Sequence, residues 1–470
     1  MAGHSLAYLT RCKPVIPSAP ESETGPKLKR SLGVLSLTML GVGGTIGTGI
    51  FVALTTAVPE AGPGVIVSFL IAGVTAALTA LCYAELASVL PESGSSYAYA
   101  YATLGEFAAF MIGACILLEY TVSGSAVAVG WGQYLNELLI DLTGHQLPAA
   151  IAQPPGHGGY FNLPAVVLVA ACMLLLLRGA RESAAANTVL VFAKLAVLAL
   201  FVVIAFSAFK TSNLKPFTPK GFVGVGSAAS TIFFSYIGLD VVSTAGDEAK
   251  DPQRTLPLGL ILALVIVTAA YVLVAVAAVG AQPWTAFAGQ EAGLAVILRN
   301  ITGATWPSVV LSLGAIISIF SVTLVVIYGQ TRILFAMSRD GLLPRFFQTV
   351  DAKTKVPTYN TMIVSGVIAL LAAFVPLDVL TNLTSLGTLA AFAVVSLGVI
   401  VLRRTRPDLP RAYRAPLYPL LPAASVLFCL YLIWGLPWVT HIMFAAWLGA
   451  ACVLYFGYSN RRSVLGIAAR

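Results

Sequence analysis

The chain has 470 residues, of which 58% are hydrophobic and only 10% are charged, and its mean hydropathy is +0.90. A soluble globular protein carries about 25% charged residues, so this composition excludes a soluble domain and predicts a multispan membrane protein. The formal net charge of +8 does not indicate a nucleic-acid partner, because the basic residues are predicted to gather at one membrane face.

The chain begins with a polar segment and continues as a series of apolar runs. Residues 1–30 lack the apolar core of a signal peptide and are predicted to form a cytoplasmic tail. The later runs are long enough for membrane helices of about 20 residues. They predict twelve spans, at residues 34–58, 64–90, 97–138, 163–180, 185–209, 222–246, 257–280, 303–338, 359–376, 379–402, 417–436 and 438–457.

The lysines and arginines predict the orientation of these spans. With the N-terminus inside, 22 of the 27 basic residues lie in inner segments, and Lys194 lies within a span. Four basic residues lie outside, namely Lys210, Lys215, Lys220 and Arg299. This bias predicts that both termini are cytoplasmic and that the number of spans is even.

A glycine-rich segment interrupts the first predicted span. Residues 41–49 read Gly-Val-Gly-Gly-Thr-Ile-Gly-Thr-Gly, with five glycines in nine positions, and glycine weakens the interior of a helix. If the helix ends near Thr45 and restarts near Thr48, the second half offers free N–H groups that attract an anion. The first half then offers free carbonyls, which attract a cation.

The sixth predicted span contains a second break, at residues 233–240, with the sequence Phe-Phe-Ser-Tyr-Ile-Gly-Leu-Asp. Unwound backbone at membrane depth is tolerated where it lines a cavity or is buried in protein, and paired broken helices indicate a transporter's binding site. An anion site beside a cation site suits the carboxylate and ammonium of an amino acid. The alternative is that the glycines only permit close helix packing.

The two breaks lie five spans apart in helices of opposite direction, which predicts a five-plus-five inverted repeat. We expect a repeat core at residues 31–403, with a first repeat at 31–210 and a second at 221–403. Peripheral helices are expected at 404–460 and a cytoplasmic C-terminal tail at 461–470.

Three motifs carry a resemblance to a known family: GTIGTGIF at 44–51, FFSYIGLDVVSTAGDEAKDPQRTLP at 233–257 and GQTRILFAMSRDGLLP at 329–344. Over roughly residues 30 to 460 the chain resembles the amino acid–polyamine–organocation superfamily, and within it the cationic amino acid transporter branch with its bacterial relatives. The resemblance implies an all-α secondary transporter of L-amino acids in the cell membrane. Its implied fold is LeuT-like, with twelve helices, spans 1 and 6 unwound, and two peripheral helices.

The resemblance also implies the residues of a substrate site. Thr48 and Gly49 would hold the substrate carboxylate, and a side chain at position 49 would fill that place. The carbonyls of Thr45, Phe234 and Ile237 would hold the ammonium, with the Phe234 ring as an outer gate. The full set of predicted substrate-binding residues is Thr45, Ile46, Gly47, Thr48, Gly49, Phe234, Ser235, Ile237, Ser123 and Ile319.

Charged residues within predicted spans are costly, so each indicates a function or a structural ion pair. Lys194, Glu119 and Asp240 are predicted to act in coupling and gating, with a structural role as the alternative for each. Glu85 lies nearer the predicted inner end and can reach the interface. The resemblance places Lys194 where sodium-coupled relatives bind their ion. Its ammonium is expected to replace sodium, which predicts sodium-independent and proton-coupled transport.

Substrate preference depends on the residues around the substrate side chain. By the resemblance these include Val127, Ser318 and Ser321 beside Ser123 and Ile319. The apolar Ile319 favours small neutral amino acids, and the alternative is a cationic substrate such as arginine, lysine or ornithine.

Other classes of protein find little support in the sequence. The chain has no metal-binding spacing, nucleophile elbow or ATP-binding loop, and its four histidines form no cluster, so we expect no enzyme, cofactor or metal ion. An amino acid sensor is less favoured, because both tails are short. The expected partners are an amino acid, a proton and the lipid bilayer, with no nucleic acid. Whether a small accessory membrane subunit exists is left open.

Overall fold

The computed structural model describes residues 11–12, 32–89, 95–179, 184–239, 242, 249–351 and 356–464. Secondary structure in these ranges is helical, apart from an isolated parallel bridge between Leu32 and Ala249. The helices are α1 (Val34–Thr45), α2 (Thr48–Ala61), α3 (Val65–Val89), α4 (Ser95–Thr103), α5 (Glu106–Thr143), α6 (Ala149–Ala152), α7 (Leu163–Leu177), α8 (Ala184–Ser207), α9 (Gly221–Ile232), α10 (Pro252–Ala281), α11 (Gly293–Thr302), α12 (Trp306–Arg339), α13 (Thr358–Phe374), α14 (Leu377–Thr405), α15 (Leu420–Trp434), α16 (Trp438–Leu454) and α17 (Asn460–Arg462).

Eleven of the twelve predicted spans coincide with one helix or a pair of helices, and the described part of the sixth consists of α9 and the turn that follows it. Among the described residues, seven helical segments are long and apolar enough to cross a membrane, and six shorter apolar helices accompany them. The architecture is that of an all-helical multi-pass membrane protein. The number of twelve spans and the inverted repeat stay predictions.

Two helices differ from the predicted elements. The third predicted span is divided into two helices. Helix α4 ends at Thr103, and Gly105, whose φ is +96°, interrupts the helical backbone before α5 begins. A left-handed φ of this kind is available to glycine at little cost. The amphipathic helix α11, between predicted spans 7 and 8, was not predicted.

Prolines and a polar cap define several helix starts. Pro164, Pro252 and Pro307 occupy the first turn of α7, α10 and α12, where the missing N–H has no intrahelical partner to lose. The side chain of Asn162 also caps α7 by accepting a hydrogen bond from the N–H of Ala165.

The long helix α5 lies at the centre and packs against α12 and α14. The first helix, α1, packs between α8 and α10, whereas α2 packs on α9. The two breaks, between α1 and α2 and after α9, therefore lie beside α5 and α12. This arrangement positions both breaks at the middle of the molecule.

A buried ion pair joins α3 to α14 and to the segment that follows α14. The carboxylate of Glu85, which is 1% exposed, accepts hydrogen bonds from Arg403 Nε at 2.8 Å and Nη2 at 2.5 Å, and from the N–H of Ala415 at 2.9 Å. Arg411 Nε lies 3.4 Å from the same carboxylate. The contacts of Glu85 are those of a structural brace.

We expect the Glu85→Ala variant to lose about 3 kcal/mol of unfolding free energy, because it leaves two guanidinium groups without their carboxylate partner. Unfolding in mixed detergent micelles, followed by tryptophan fluorescence, measures this loss. The control is Glu60→Ala, which breaks the half-exposed Glu60–Lys220 pair and should cost less than about 1 kcal/mol. Equal losses in the two variants would contradict the structural assignment.

Candidate functional site

The first break separates α1 from α2 by two residues. Ile46 has extended backbone, with φ of −75° and ψ of 91°, and its N–H still donates to Val42 O at 2.8 Å. Gly47, with φ of −139° and ψ of −140°, then leads into α2 without a side-chain cap. The N–H groups in the first turn of α2 therefore lack intrahelical acceptors, as the sequence predicts.

The second break follows α9. A 3-10 turn at Phe233–Tyr236 leads to Ile237 in extended conformation and to Gly238, whose φ is +90°. A Cβ atom on Gly238 would lie 2.5 Å from the carbonyl oxygen of Gly44. Glycine is thus required twice here, for its φ and for the contact between the two breaks. The predicted gating residue Asp240 lies outside the described residues.

Side chains from neighbouring helices bind the carbonyls that the first break leaves without helical partners. In an unbroken helix Gly43 O would accept from the N–H of Gly47. Instead, Lys194 Nζ on α8 donates to Gly43 O at 2.9 Å, and the lysine is 3% exposed. Ser318 Oγ on α12 donates to Ile46 O at 3.3 Å.

Tyr271 on α10 connects the two breaks. Its hydroxyl oxygen lies 2.9 Å from Thr45 O and 2.8 Å from Ser235 O, so its proton is shared between the two carbonyls. The ring is fully buried. No feature of the sequence indicated this contact, because Tyr271 lies in an ordinary apolar run far from both motifs.

A cavity lies between the two breaks, α5 and α12, with about 550 Å³ free of protein atoms and part of that space open to solvent. Its lining combines backbone from the two breaks with valines of α5 and α12. The lining residues are Gly44, Thr45, Gly47, Thr48, Gly49, Glu119, Tyr120, Ser123, Val127, Phe234, Ile237, Gly238, Val322, Val325 and Val326.

The structure brings most of the predicted site residues to this cavity. Among the predicted residues, those that line it are Thr45, Gly47, Thr48, Gly49, Ser123, Phe234, Ile237 and Glu119. Thr48 Oγ1 lies 3.4 Å from Val127 O, which leaves its backbone N–H as the better donor toward the cavity.

Four predicted residues lie next to the cavity without lining it. Ile46, Ser235 and Ile319 are buried, and Lys194 reaches the back of the first break at Gly43. The α12 wall of the cavity is formed one turn further along, by Val322, Val325 and Val326. Val322 and Val326 continue the helical face of Ser318 at i+4 and i+8, so helical spacing could have indicated them.

Gly49 packs closely against the second break. A Cβ atom at this position would lie 2.5 Å from Ser235 Cα. The missing side chain allows α2 to touch the 3-10 turn. Close packing therefore requires glycine at position 49, and the expectation that its N–H group binds a carboxylate stays a prediction.

A cavity between two broken helices, in an apolar helical protein, is the arrangement at which secondary transporters bind substrate. The amino acid permease family matches residues 32–465. The chain belongs to this family, and the predicted resemblance to the amino acid–polyamine–organocation superfamily is confirmed.

Several curated relatives are similar over most of the chain. The branched-chain amino acid permease BcaP of Bacillus subtilis (strain 168) is 45% identical over 93% of this chain and 95% of the relative. The methylthioribose transporter of the same organism is 41% identical over 98% and 100%. The vacuolar cationic amino acid transporter 2 of Arabidopsis thaliana is 38% identical over 86% and 65%. These relatives are named permeases and transporters, which agrees with the expectation of a non-enzyme.

We expect Gly49→Ala to abolish substrate uptake, because the added methyl pushes α2 from Ser235 and misplaces its first N–H groups. The measurement is uptake of labelled amino acids into liposomes that hold equal amounts of folded protein. Gly366→Ala is the matched control, since this glycine of α13 has nothing within 4 Å of the place that an added methyl would take. Normal uptake by the Gly49→Ala variant would show that the contact between α2 and the turn is unimportant.

Proposed function

We propose that the chain is a secondary transporter of neutral L-amino acids with apolar, branched side chains, and that it acts in the cell membrane. The observation that carries the proposal is the composition of the cavity, which unwound backbone and four valines line together. A zwitterion needs donors and acceptors at one end only, and the remainder of an apolar amino acid needs none.

The backbone wall supports recognition of the carboxylate and ammonium. The N–H groups of Thr48 and Gly49 lie at the N-terminus of α2, which favours an anion. The carbonyls of Thr45, Phe234 and Ile237 are the proposed acceptors for the ammonium. Thr45 O already accepts from Tyr271, and its second lone pair is available for a further donor.

The valine wall supports the preference for an apolar side chain. The cavity is lined by Val127 on α5 and by Val322, Val325 and Val326 on α12. We propose that these valines, in place of Ile319, give the preference for small neutral substrates. Each methylene that leaves water for such a surface contributes about 0.8 kcal/mol. Relatives named branched-chain amino acid permeases, at 45% and 34% identity, support the same class of substrate.

One observation favours a second candidate function. Glu119 on α5 also lines the cavity, and a carboxylate there can pair with a basic head group. The relatives named cationic amino acid transporters support an arginine, lysine or ornithine carrier. Against it stand the four valines of the same cavity, which offer no polar partner to a basic head group.

Uptake into liposomes that hold the purified protein tests the proposal. Labelled leucine is offered with a tenfold excess of unlabelled isoleucine, alanine, arginine or methylthioribose as competitors. We expect strong competition by isoleucine and weak competition by arginine. Competition by arginine alone would support the second candidate, and competition by methylthioribose alone would reject amino acids as substrates.

We expect Val326→Ala to weaken the competition by isoleucine by roughly tenfold, because two methyl groups leave the substrate's surroundings, at about 0.8 kcal/mol for each. Competition by the larger phenylalanine should improve in the same variant. Val310→Ala, on the exposed face of the same helix, should change neither value. If isoleucine and phenylalanine keep their wild-type ratio, the valine wall does not select the substrate.

The proposal includes the coupling mechanism and the topology. Lys194 donates to Gly43 O at the back of the first break, where a fixed ammonium can take the place of a sodium ion. We propose that transport is sodium-independent and proton-coupled through Lys194, with Glu119 and Asp240 as further coupling and gating residues. Both termini are proposed to be cytoplasmic, on the basis of the lysine and arginine distribution.

We expect Lys194→Met to lose most uptake, because Gly43 O loses its donor inside the protein. Wild-type uptake should proceed in sodium-free buffer and rise when the outside is more acidic than the inside. The Lys194→Arg variant keeps a positive charge that cannot be released, so it should retain binding of substrate while losing the response to the proton gradient. The exposed Lys220→Met serves as the control. A strict sodium requirement in the wild type would reject the coupling proposal.

A further inference from the structure

A second group of charged residues lies away from the cavity, at the C-terminal end of α5. Glu137 and Asp141 are one helical turn apart, and both contact one nitrogen of Arg299 on α11. Arg299 Nη1 lies 2.5 Å from Glu137 Oε1 and 3.1 Å from Asp141 Oδ1. The side chains of Glu137 and Asp141 are 7% and 0% exposed, whereas that of Arg299 is 32% exposed. The arginine thus covers two buried carboxylates.

Helix α11 connects two elements that border the substrate cavity. At its start, a Cβ atom on Gly293 would lie 2.6 Å from Thr55 Cγ2, so α11 rests closely on α2. At its end, Arg299 reaches α5. Helix α11, called the lid below, therefore bridges α2 and α5 at the end of the molecule that the basic residues predict to be external, and a movement of α11 away from α5 would separate Arg299 from the two carboxylates.

The charges under this lid do not balance. One guanidinium faces two carboxylates, and the other nearby charge that acts on Glu137 is also negative, from Glu291. Asp141 Oδ2 has no hydrogen-bond donor among the described residues, and Glu137 Oε1 meets Arg299 without the alignment of a hydrogen bond. A buried excess of negative charge is unfavourable, and a proton bound by Glu137 removes it.

Among the described residues, α2 and α14 do not supply the missing positive charge, and His145, which follows α5, is exposed. The last turn of α2 carries Glu60, which pairs with Lys220, and α14 begins with the exposed Asp378. The cluster of Glu137, Asp141 and Arg299 is therefore left with one negative charge in excess when both carboxylates are ionised.

We propose that closure of α11 takes up one proton from the external solution, which Glu137 binds beside Asp141 and beneath Arg299. When the lid opens, both carboxylates meet water and the proton returns to the same side. External acid therefore favours the closed lid and speeds the step that encloses substrate. Because this proton returns to the side from which it came, it adds nothing to the driving force of transport. The inference rests on the proposed transport function and is separate from coupling at Lys194.

The expected size follows from linkage. If closure binds one proton, the ratio of closed to open protein changes by up to tenfold per pH unit, over the range of pH in which only the closed state holds the proton. Glu137→Gln leaves one carboxylate for one guanidinium, as in the protonated cluster. It should hold the lid closed throughout this range and remove the response to pH. Asp141→Asn should do the same.

A distance measurement tests this without depending on transport. Spin labels are placed at Asn300 on α11 and at Leu142 on α5, both exposed, in protein whose Cys12 and Cys452 are replaced by serine. Pulsed electron spin resonance in lipid nanodiscs then gives the distance distribution between the labels without substrate. In the wild type, the short distance should gain population as the pH falls through the same range.

The controls separate this inference from the proposed function. Glu60→Gln removes a carboxylate at the same end of the molecule and should keep the wild-type pH response. A wild-type distance distribution that does not change with pH, or a Glu137→Gln variant with the wild-type response, would overturn the inference. Uptake of leucine by the same samples reports the transport function independently, so a protein that fails to transport can still show the proton-linked lid.

Discussion

The first break creates a constraint on which the rest of the structure depends. A membrane interior offers no water to the carbonyls that a helix leaves free when it unwinds, so protein groups must bind them. Gly43 O receives Lys194 from α8, Thr45 O receives Tyr271 from α10, and Ile46 O receives Ser318 from α12. Three helices thereby hold one short segment, and the position of that segment determines where the free N–H groups of α2 point.

The proposed function divides recognition between main chain and side chains. In it, the main chain at the two breaks binds the part that all amino acids share, and the valines of α5 and α12 contact the part that differs. The contacts at Gly49 and Gly238 hold the breaks against each other, so the polar wall is rigid because of close packing. Helix α11 touches this arrangement at a different place, since its close contact with α2 is at Thr55.

The sequence was most informative where composition changes sharply. Five glycines in an uncharged run indicated the first break, and the long apolar runs indicated the helices. The sequence was less informative about the directions in which side chains point. Spacing alone could not show that the Cβ of Gly49 would point at Ser235, or that α12 faces the cavity with Val322 in place of Ile319. The lid helix α11 and Tyr271 were missed, because a short amphipathic helix and a single tyrosine leave no strong local pattern.

The contact between the two breaks has a consequence for how such a protein diversifies over generations. Main-chain N–H and C=O groups are the same whatever residue carries them, so single mutations rarely erase the polar wall without also disturbing the packing at Gly49 or Gly238. The valine wall has no such protection, and its side chains can be exchanged one at a time. Descendants of such a protein would therefore change their substrate preference while keeping the main-chain wall. Their glycines would be a better guide to common descent than their substrates.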